Sequence, residues 1–401
     1  MPIKRNFLNK NISLDILFLG FFLILTFKCN SNYLGITENY YFLIISILFS
    51  ILYLKKEVVK IRFENFCIIF FIYYILLQLL IVKLPLEKGV LLSYLVWSIL
   101  FFILTIRKIN IDEIRFLINS YIIAAIIISL NIIIVRNEFN GWIGTYRYTF
   151  KFNSGIYVDP NFMASFLLMP SILSFNKVIN KVRKDKLYIQ YLIAFLLISI
   201  GIVLTGSRAS LVALGISCIF ILIYYRSFKV LGISTILIFI ILILFKDMLP
   251  YGTVKRLFFN SYIDGSNITR IDNWIHGIKA FSINPLIGYG SVSSSKILIS
   301  IFGYEHAIHN TYLTFLTQLG IIGFIPVIIV IIKILIYSIK RGNRILFPIV
   351  FSLLFTSFII EQNTTITAWI TIIIIYMIII YRYNNKDISI QDIISWRRNY
   401  D

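Results

Sequence analysis

Long apolar runs separated by short polar stretches recur along the whole chain. Each run is roughly 16–20 residues long, the length a helix needs to cross the hydrocarbon core of a bilayer. The runs do not alternate polar with apolar positions as lipid-exposed β-strands do, and backbone groups in lipid must bond within their own segment. The pattern predicts an all-α integral membrane protein of about twelve transmembrane helices, over 14–27, 40–54, 66–82, 90–106, 117–135, 161–176, 188–204, 210–225, 230–246, 318–337, 345–360 and 365–381. Four parts follow. Helices one to nine occupy 1–246, with an outer loop at 136–160. One large extracytoplasmic loop, 247–310, contains short helices. Helices ten to twelve occupy 311–381, and a cytoplasmic tail covers 382–401. In that tail "ISIQDIISWRRNY" is weakly amphipathic, so it is expected on the inner membrane face with Trp396 at headgroup depth.

Composition and charge then fix direction. At 59% hydrophobic and 14% charged, 401 residues carry too much apolar surface for a soluble domain. Lys4, Arg5 and Lys10, then Lys55, Lys56, Lys60 and Arg62, then Arg107, Lys108 and Arg115 fall on one side of the predicted spans, and the alternation continues to Arg382 and Arg398. This bias places both termini in the cytoplasm. The net charge of +20 is thus a topology signal that also attracts anionic lipid; spread over short loops, it makes no stripe for nucleic acid. "FKCNSN" after the first run lacks a small-x-small cleavage site, so that run reads as an anchor. Cys29, Cys67 and Cys218 imply no disulfide framework. No internal repeat of the transporter kind is visible.

The unusual polar residues gather on the expected outer face. Arg208, in "LTGSRASLVAL", sits between two apolar runs, where a guanidinium either snorkels to the interface or clamps an anion. In the long loop, "SNITRIDNWIHGIKAF" predicts an amphipathic helix capped by Asn267 or Thr269. Ile268, Ile271, Ile275, Ile278 and Phe281 form one stripe; Arg270, Trp274 and Gly277 share another face. "NPLIGYG" then breaks the helix. A second helix is expected to start near His309 and run into the tenth span. All three histidines lie here: His276, and His306 and His309 in "EHAIHN". The order H-E-x-x-H is absent and no further ligand cluster appears, so no metal site is expected. Two arginines suit a pyrophosphate, and a neutral imidazole suits proton removal from a hydroxyl. Converging at the membrane edge, they suggest group transfer from a lipid pyrophosphate. A flippase is the alternative of another class, but it should place charges deep in several spans, which are nearly free of them here.

"TGSRASLVAL", followed by one large outer loop carrying "TRIDNWIHGIKAF", "NPLIGYG" and "HNTYLTFLTQLGIIG", resembles the O-antigen polymerase and O-antigen ligase superfamily. "GIYVDPNFMASFLL" is similar to that family's small-residue-then-Pro-Asn stretch before a span. The resemblance implies a GT-C-like membrane fold and a metal-independent, cofactor-free glycosyltransferase that uses undecaprenyl-pyrophosphate-linked oligosaccharides at the outer face of the bacterial cytoplasmic membrane. It implies that Arg208 and Arg270 hold the pyrophosphate and that His309 activates the acceptor hydroxyl. Asn310, Asp159 and Asn161 would shape the pocket. Trp274, Tyr146, Tyr148 and Trp142 are aromatic candidates to stack on sugars, which an interfacial aromatic belt explains equally well. The compact loop favours a polymerase over a ligase. A chain-length regulator and a flippase are the implied partners.

Overall fold

A computed structural model describes residues 12–25, 32–33, 36–37, 39–54, 61–82, 84–141, 145–151, 157–180, 187–227, 265–340, 343–385 and 388–394. The described chain is mostly helical. Its helices are α1 (Leu14–Leu25), α2 (Asn39–Leu54), α3 (Phe63–Ile81), α4 (Lys88–Ile106), α5 (Ile111–Val135), α6 (Pro160–Ile179), α7 (Leu187–Leu204), α8 (Arg208–Tyr224), α9 (Gly265–Ile283), α10 (Ser294–Phe302), α11 (Thr311–Ile339), α12 (Phe347–Ile359), α13 (Ile366–Asn384) and α14 (Ile390–Ile394). Two short antiparallel hairpins join them: β1 (Asn32–Tyr33) with β2 (Ile36–Thr37), and β3 (Glu138–Gly141) with β4 (Thr145–Tyr148).

Six helices, α3, α4, α5, α6, α11 and α13, are long and apolar enough to cross a membrane. On length and composition these are what the expected twelve spans yield. The shorter apolar helices, such as Leu14–Leu25 and Arg208–Tyr224, would reach only about 18–26 Å at ~1.5 Å per residue. The predicted ninth span, 230–246, lies outside the described residues. α6 is the hub, with every residue from Met163 to Val178 buried. α5, α7, α8 and α12 pack around it.

The helix ends sort onto two sides. At one end, buried Arg107 at the C-terminus of α4 meets Asp15 (3.4 Å) in the first turn of α1 and Glu113 (3.2 Å) in the first turn of α5. Ser50 donates to Asp15 (2.7 Å) and Ser13 to Glu113. Acids at helix N-termini and a cation at a C-terminus suit the helix dipoles, and buried charges require such partners. The tail helix α14 tucks against this end: Ile390, Ile393 and Ile394 are buried, and Arg115 donates to the Ile393 carbonyl. These residues therefore pack into the bundle core and do not lie on a membrane surface; Trp396 is outside the described residues.

At the opposite end α11 departs from the expected continuous helix. Gly320, in "TQLGIIG", has φ 61° and ψ −173°, a conformation open essentially to glycine alone, and it breaks the helix. The freed backbone groups are taken up by "NPLIGYG". Tyr289 and Gly290 N–H donate to the Thr317 and Gln318 carbonyls (2.9 and 2.8 Å), while Ile321 and Ile322 N–H donate to the Pro285 and Leu286 carbonyls (2.8 and 3.3 Å). From α3, the Tyr74 hydroxyl and Gln78 amide donate to the Ile287 carbonyl, each at 2.9 Å. Gln318, Tyr94 and Asn363 complete a buried polar network.

A Cβ on Gly320 would stand 2.2 Å from the Leu286 carbonyl oxygen. Gly320→Ala is expected to cost about 2 kcal/mol or more, seen as a lowered Tm in detergent. The control is Gly215→Ala, where a Cβ meets nothing within 4 Å. Equal Tm values for the two variants would contradict the docking.

Candidate functional site

Connections from across the sequence meet at the end where α11 begins. Asn310 caps α11, its side chain accepting from Tyr312 and Leu313 N–H (both 3.0 Å). Asp159 caps α6, accepting from Asn161 N–H at 2.7 Å, with Pro160 at the first helical position. Arg208 opens α8 after the turn 205–207, in which Gly206 has φ 63°. Ser93 at the start of α4 donates to the Thr364 carbonyl in the α12–α13 connection (2.8 Å).

His309 is half-buried at the end of the loop from α10, with φ 54°. Arg136 and Arg226 also have positive φ, but each follows the C-terminus of a helix, where a left-handed residue ends the hydrogen-bond ladder. His309 precedes a helix and has no such role. A bulky residue held there is strained, and strain of this kind concentrates at functional sites. Its imidazole pKa is held below the usual 6.5, first by burial and then by the positive charge of Arg270; Asp159 opposes this, and His306 adds to it. Arg270, Asp159 and His306 thus lie near enough to act on the His309 ring, and the net effect favours its neutral form, the one that accepts a proton.

Two buried residues that tie the cluster together are not visible in the sequence. Arg147, on β4, is buried; it donates to the Thr205 carbonyl (2.6 Å) and to the Asn161 side chain (2.9 Å). It thereby ties the turn that carries Arg208 to the cap that carries Asp159. Its signal in the sequence is a lone cation between aromatics in "TYRYT". Glu361, between α12 and α13, accepts from the Ser294 hydroxyl (2.6 Å), and that hydroxyl accepts from Ile308 N–H (3.1 Å). Burial pushes the Glu361 carboxyl up, against this hydrogen bond and the His309 backbone N–H. The signal was a lone acid in the apolar stretch "FIIEQNTTI".

Other candidates go elsewhere. Trp274 packs edge-on against Phe358 (5.2 Å between centroids), in the cluster that includes Ile308, and so props the loop. His276 stacks on Tyr304 at 4.2 Å, and His306 meets the same ring edge-on. Asn267 and Thr269 lie inside α9, which begins at Gly265, so neither caps it. Tyr146 pairs through its backbone with Asn140. The side chains of Tyr146 and Ile268, and all of Trp142, are outside the described residues. Among the described residues no three His, Cys, Asp or Glu side chains are placed to hold a metal ion.

Fold and site define a multi-pass membrane protein with a polar cluster at one end of its bundle. Residues 193–328, about a third of the chain, match the family model described as O-antigen ligase, so the likeness to the O-antigen polymerase and ligase superfamily rests on that segment. The matched segment holds Arg208, Arg270, His309, Asn310 and Gly320; Arg147, Asp159, Asn161 and Glu361 lie outside it. The match supports polymerase or ligase activity in general and lends nothing to a flippase. No curated protein matches the chain.

The reactivity of His309 toward diethyl pyrocarbonate, which modifies neutral imidazole, is expected to have a midpoint below pH 6.5 when His276 and His306 are replaced by Gln. Arg270→Gln should raise that midpoint, because a repelling cation is gone; Asp159→Asn should lower it. A midpoint at or above 6.5, or opposite signs in the two variants, would contradict the electrostatic picture.

Proposed function

We propose that this protein polymerises undecaprenyl-pyrophosphate-linked oligosaccharide repeat units at the outer face of the bacterial cytoplasmic membrane, with both termini in the cytoplasm. The observation that carries the reading is His309, held at φ 54° with its imidazole pKa lowered by burial, under the influence of Arg270 and Asp159 at one end of a membrane bundle. His309 takes the proton of the acceptor hydroxyl as its oxygen bonds to the anomeric carbon of the donor sugar. The bond from that carbon to the pyrophosphate oxygen breaks, and the electron pair leaves with the lipid pyrophosphate. Arg208 and Arg270 hold that leaving group with paired donors, so no metal is needed. Asp159, Asn161 and Asn310 shape the pocket, and Arg147 sets Asp159 and Arg208 in register.

An apolar cavity supports a lipid donor. It begins beside Asn363 and Thr311, the latter two residues after His309 and the first of α11, and runs between α3, α4, α11, α12 and α13 as far as Ile334. Its walls are almost wholly apolar on both sides of the break at Gly320, which suits a polyprenyl chain. A flippase would deliver the lipid-linked unit, and a chain-length regulator would set product size. The second reading is a ligase that moves the finished glycan to another acceptor, which the description of the matched family favours.

The size distribution of surface glycan separates these readings in cells whose only copy carries His309→Ala at normal protein level. A polymerase leaves single repeat units on the carrier; a ligase leaves full-length polymer there. Unchanged glycan would overturn the assignment of His309. Arg208→Lys should lose roughly 10²-fold or more, nearly as much as Arg208→Ala, because an ammonium cannot offer paired donors. Full activity in the lysine variant would remove Arg208 from that role.

A further inference from the structure

The apolar stripe of α9 faces away from the protein. Ile271, Ile275, Ile278 and Ile283 are 44–61% exposed, and Leu286 just beyond is 59% exposed, while Asn273, Gly277 and Ala280 on the opposite face are buried. An amphipathic helix on a soluble loop would do the reverse and bury its isoleucines. Its depth explains the inversion. Gly277 packs against Ile308 and Leu313, at the start of α11. Eleven residues later, Gly288 lies against Gln318 and Gly320. Gly320 is nine residues into α11, about 14 Å along its axis at ~1.5 Å per residue. The end of α9 and the loop after it thus descend beside a membrane-spanning helix, at the level of Tyr74 and Gln78 in the last two turns of α3.

Irregular backbone at that depth is tolerated only where protein satisfies it, and the exchange of hydrogen bonds around Gly320 does so. The exposed stripe is continuous with the apolar flank of α11, where Ile321, Ile322 and Ile325 are also exposed. Ser282, on the same face, turns its hydroxyl inward onto the Ile278 carbonyl (2.9 Å), as a hydroxyl in hydrocarbon must. Lys279 stands there too, on a stem long enough to snorkel to the headgroups; exposed Asp272 lies near the shallow end of α9.

We infer that α9 is a lipid-docked helix: its Ile275–Leu286 face dips into the acyl chains of the leaflet on the His309 side. Bulk lipid covers this face. Arg270, two turns before Gly277, is thereby held at headgroup height, the height at which a lipid-borne phosphate lies. The inference requires the bundle to span a bilayer and is independent of which reaction the site performs.

The test uses the full-length protein, with Cys29, Cys67 and Cys218 replaced by Ser, in nanodiscs of phosphatidylethanolamine and phosphatidylglycerol. Nitroxides are attached singly at Ile275→Cys, Ile278→Cys, Ile283→Cys and Leu286→Cys. Ile325→Cys is the lipid reference and Glu305→Cys the water reference. All are exposed positions, so a label displaces no core residue, and each sample is checked for monodispersity. Oxygen-to-nickel accessibility ratios at Ile283 and Leu286 are expected to match that of Ile325 and to exceed that of Glu305 several-fold, with Ile275 shallower than Ile283. Ratios like that of Glu305 would mean that the face is in water. Low accessibility to both reagents would mean that protein covers it. Either result overturns the inference.

Discussion

The exchange of backbone hydrogen bonds at Gly320 is the constraint on which the site depends. A glycine-only conformation interrupts α11 and turns four of its backbone groups toward "NPLIGYG". Buried polar groups left unpaired in an apolar surrounding cost several kcal/mol each, so break and loop need one another. Their union fixes α9 against α11. Arg270 on the first helix is then placed by the same contacts as His309 at the start of the second.

The rest of the site is tied to that unit from other parts of the chain. Ser294 joins Glu361, between α12 and α13, to the backbone just before His309. Arg147 joins the Arg208 turn to the Asp159 cap. Burial and the positive charge of Arg270 favour an uncharged His309 ring, against the opposing pull of Asp159. At the far end of the bundle, the Arg107, Asp15 and Glu113 cluster fixes helix ends and takes no part in this chemistry.

Much of this was legible in the sequence, for physical reasons that differ by element. Apolar runs fixed most helices because backbone in lipid has few alternatives. Asp159 before Pro160, and Asn310 before an apolar run, follow the rules for helix starts. The direction in which α9 faces was not legible. An amphipathic period gives a stripe but does not say whether protein or lipid lies against it, and only the depth set by Gly320 decides that. Arg147 and Glu361 were missed because each acts through residues distant in sequence: Arg147 reaches Thr205, and Glu361 reaches Ser294. A glycine in "TQLGIIG" gave no hint that it would break a helix, since glycines are common in membrane helices.

The reaction proposed for the cluster around His309 is transfer of a glycan from a lipid pyrophosphate. The most direct measurement places purified protein in liposomes with one lipid-linked repeat unit, in the presence of EDTA, and follows both lipid and glycan. Polyprenyl pyrophosphate is expected to be released in step with the appearance of longer lipid-linked glycans, and neither product should form with His309→Gln. Movement of the intact lipid-linked unit across the bilayer, with no pyrophosphate released, would contradict it.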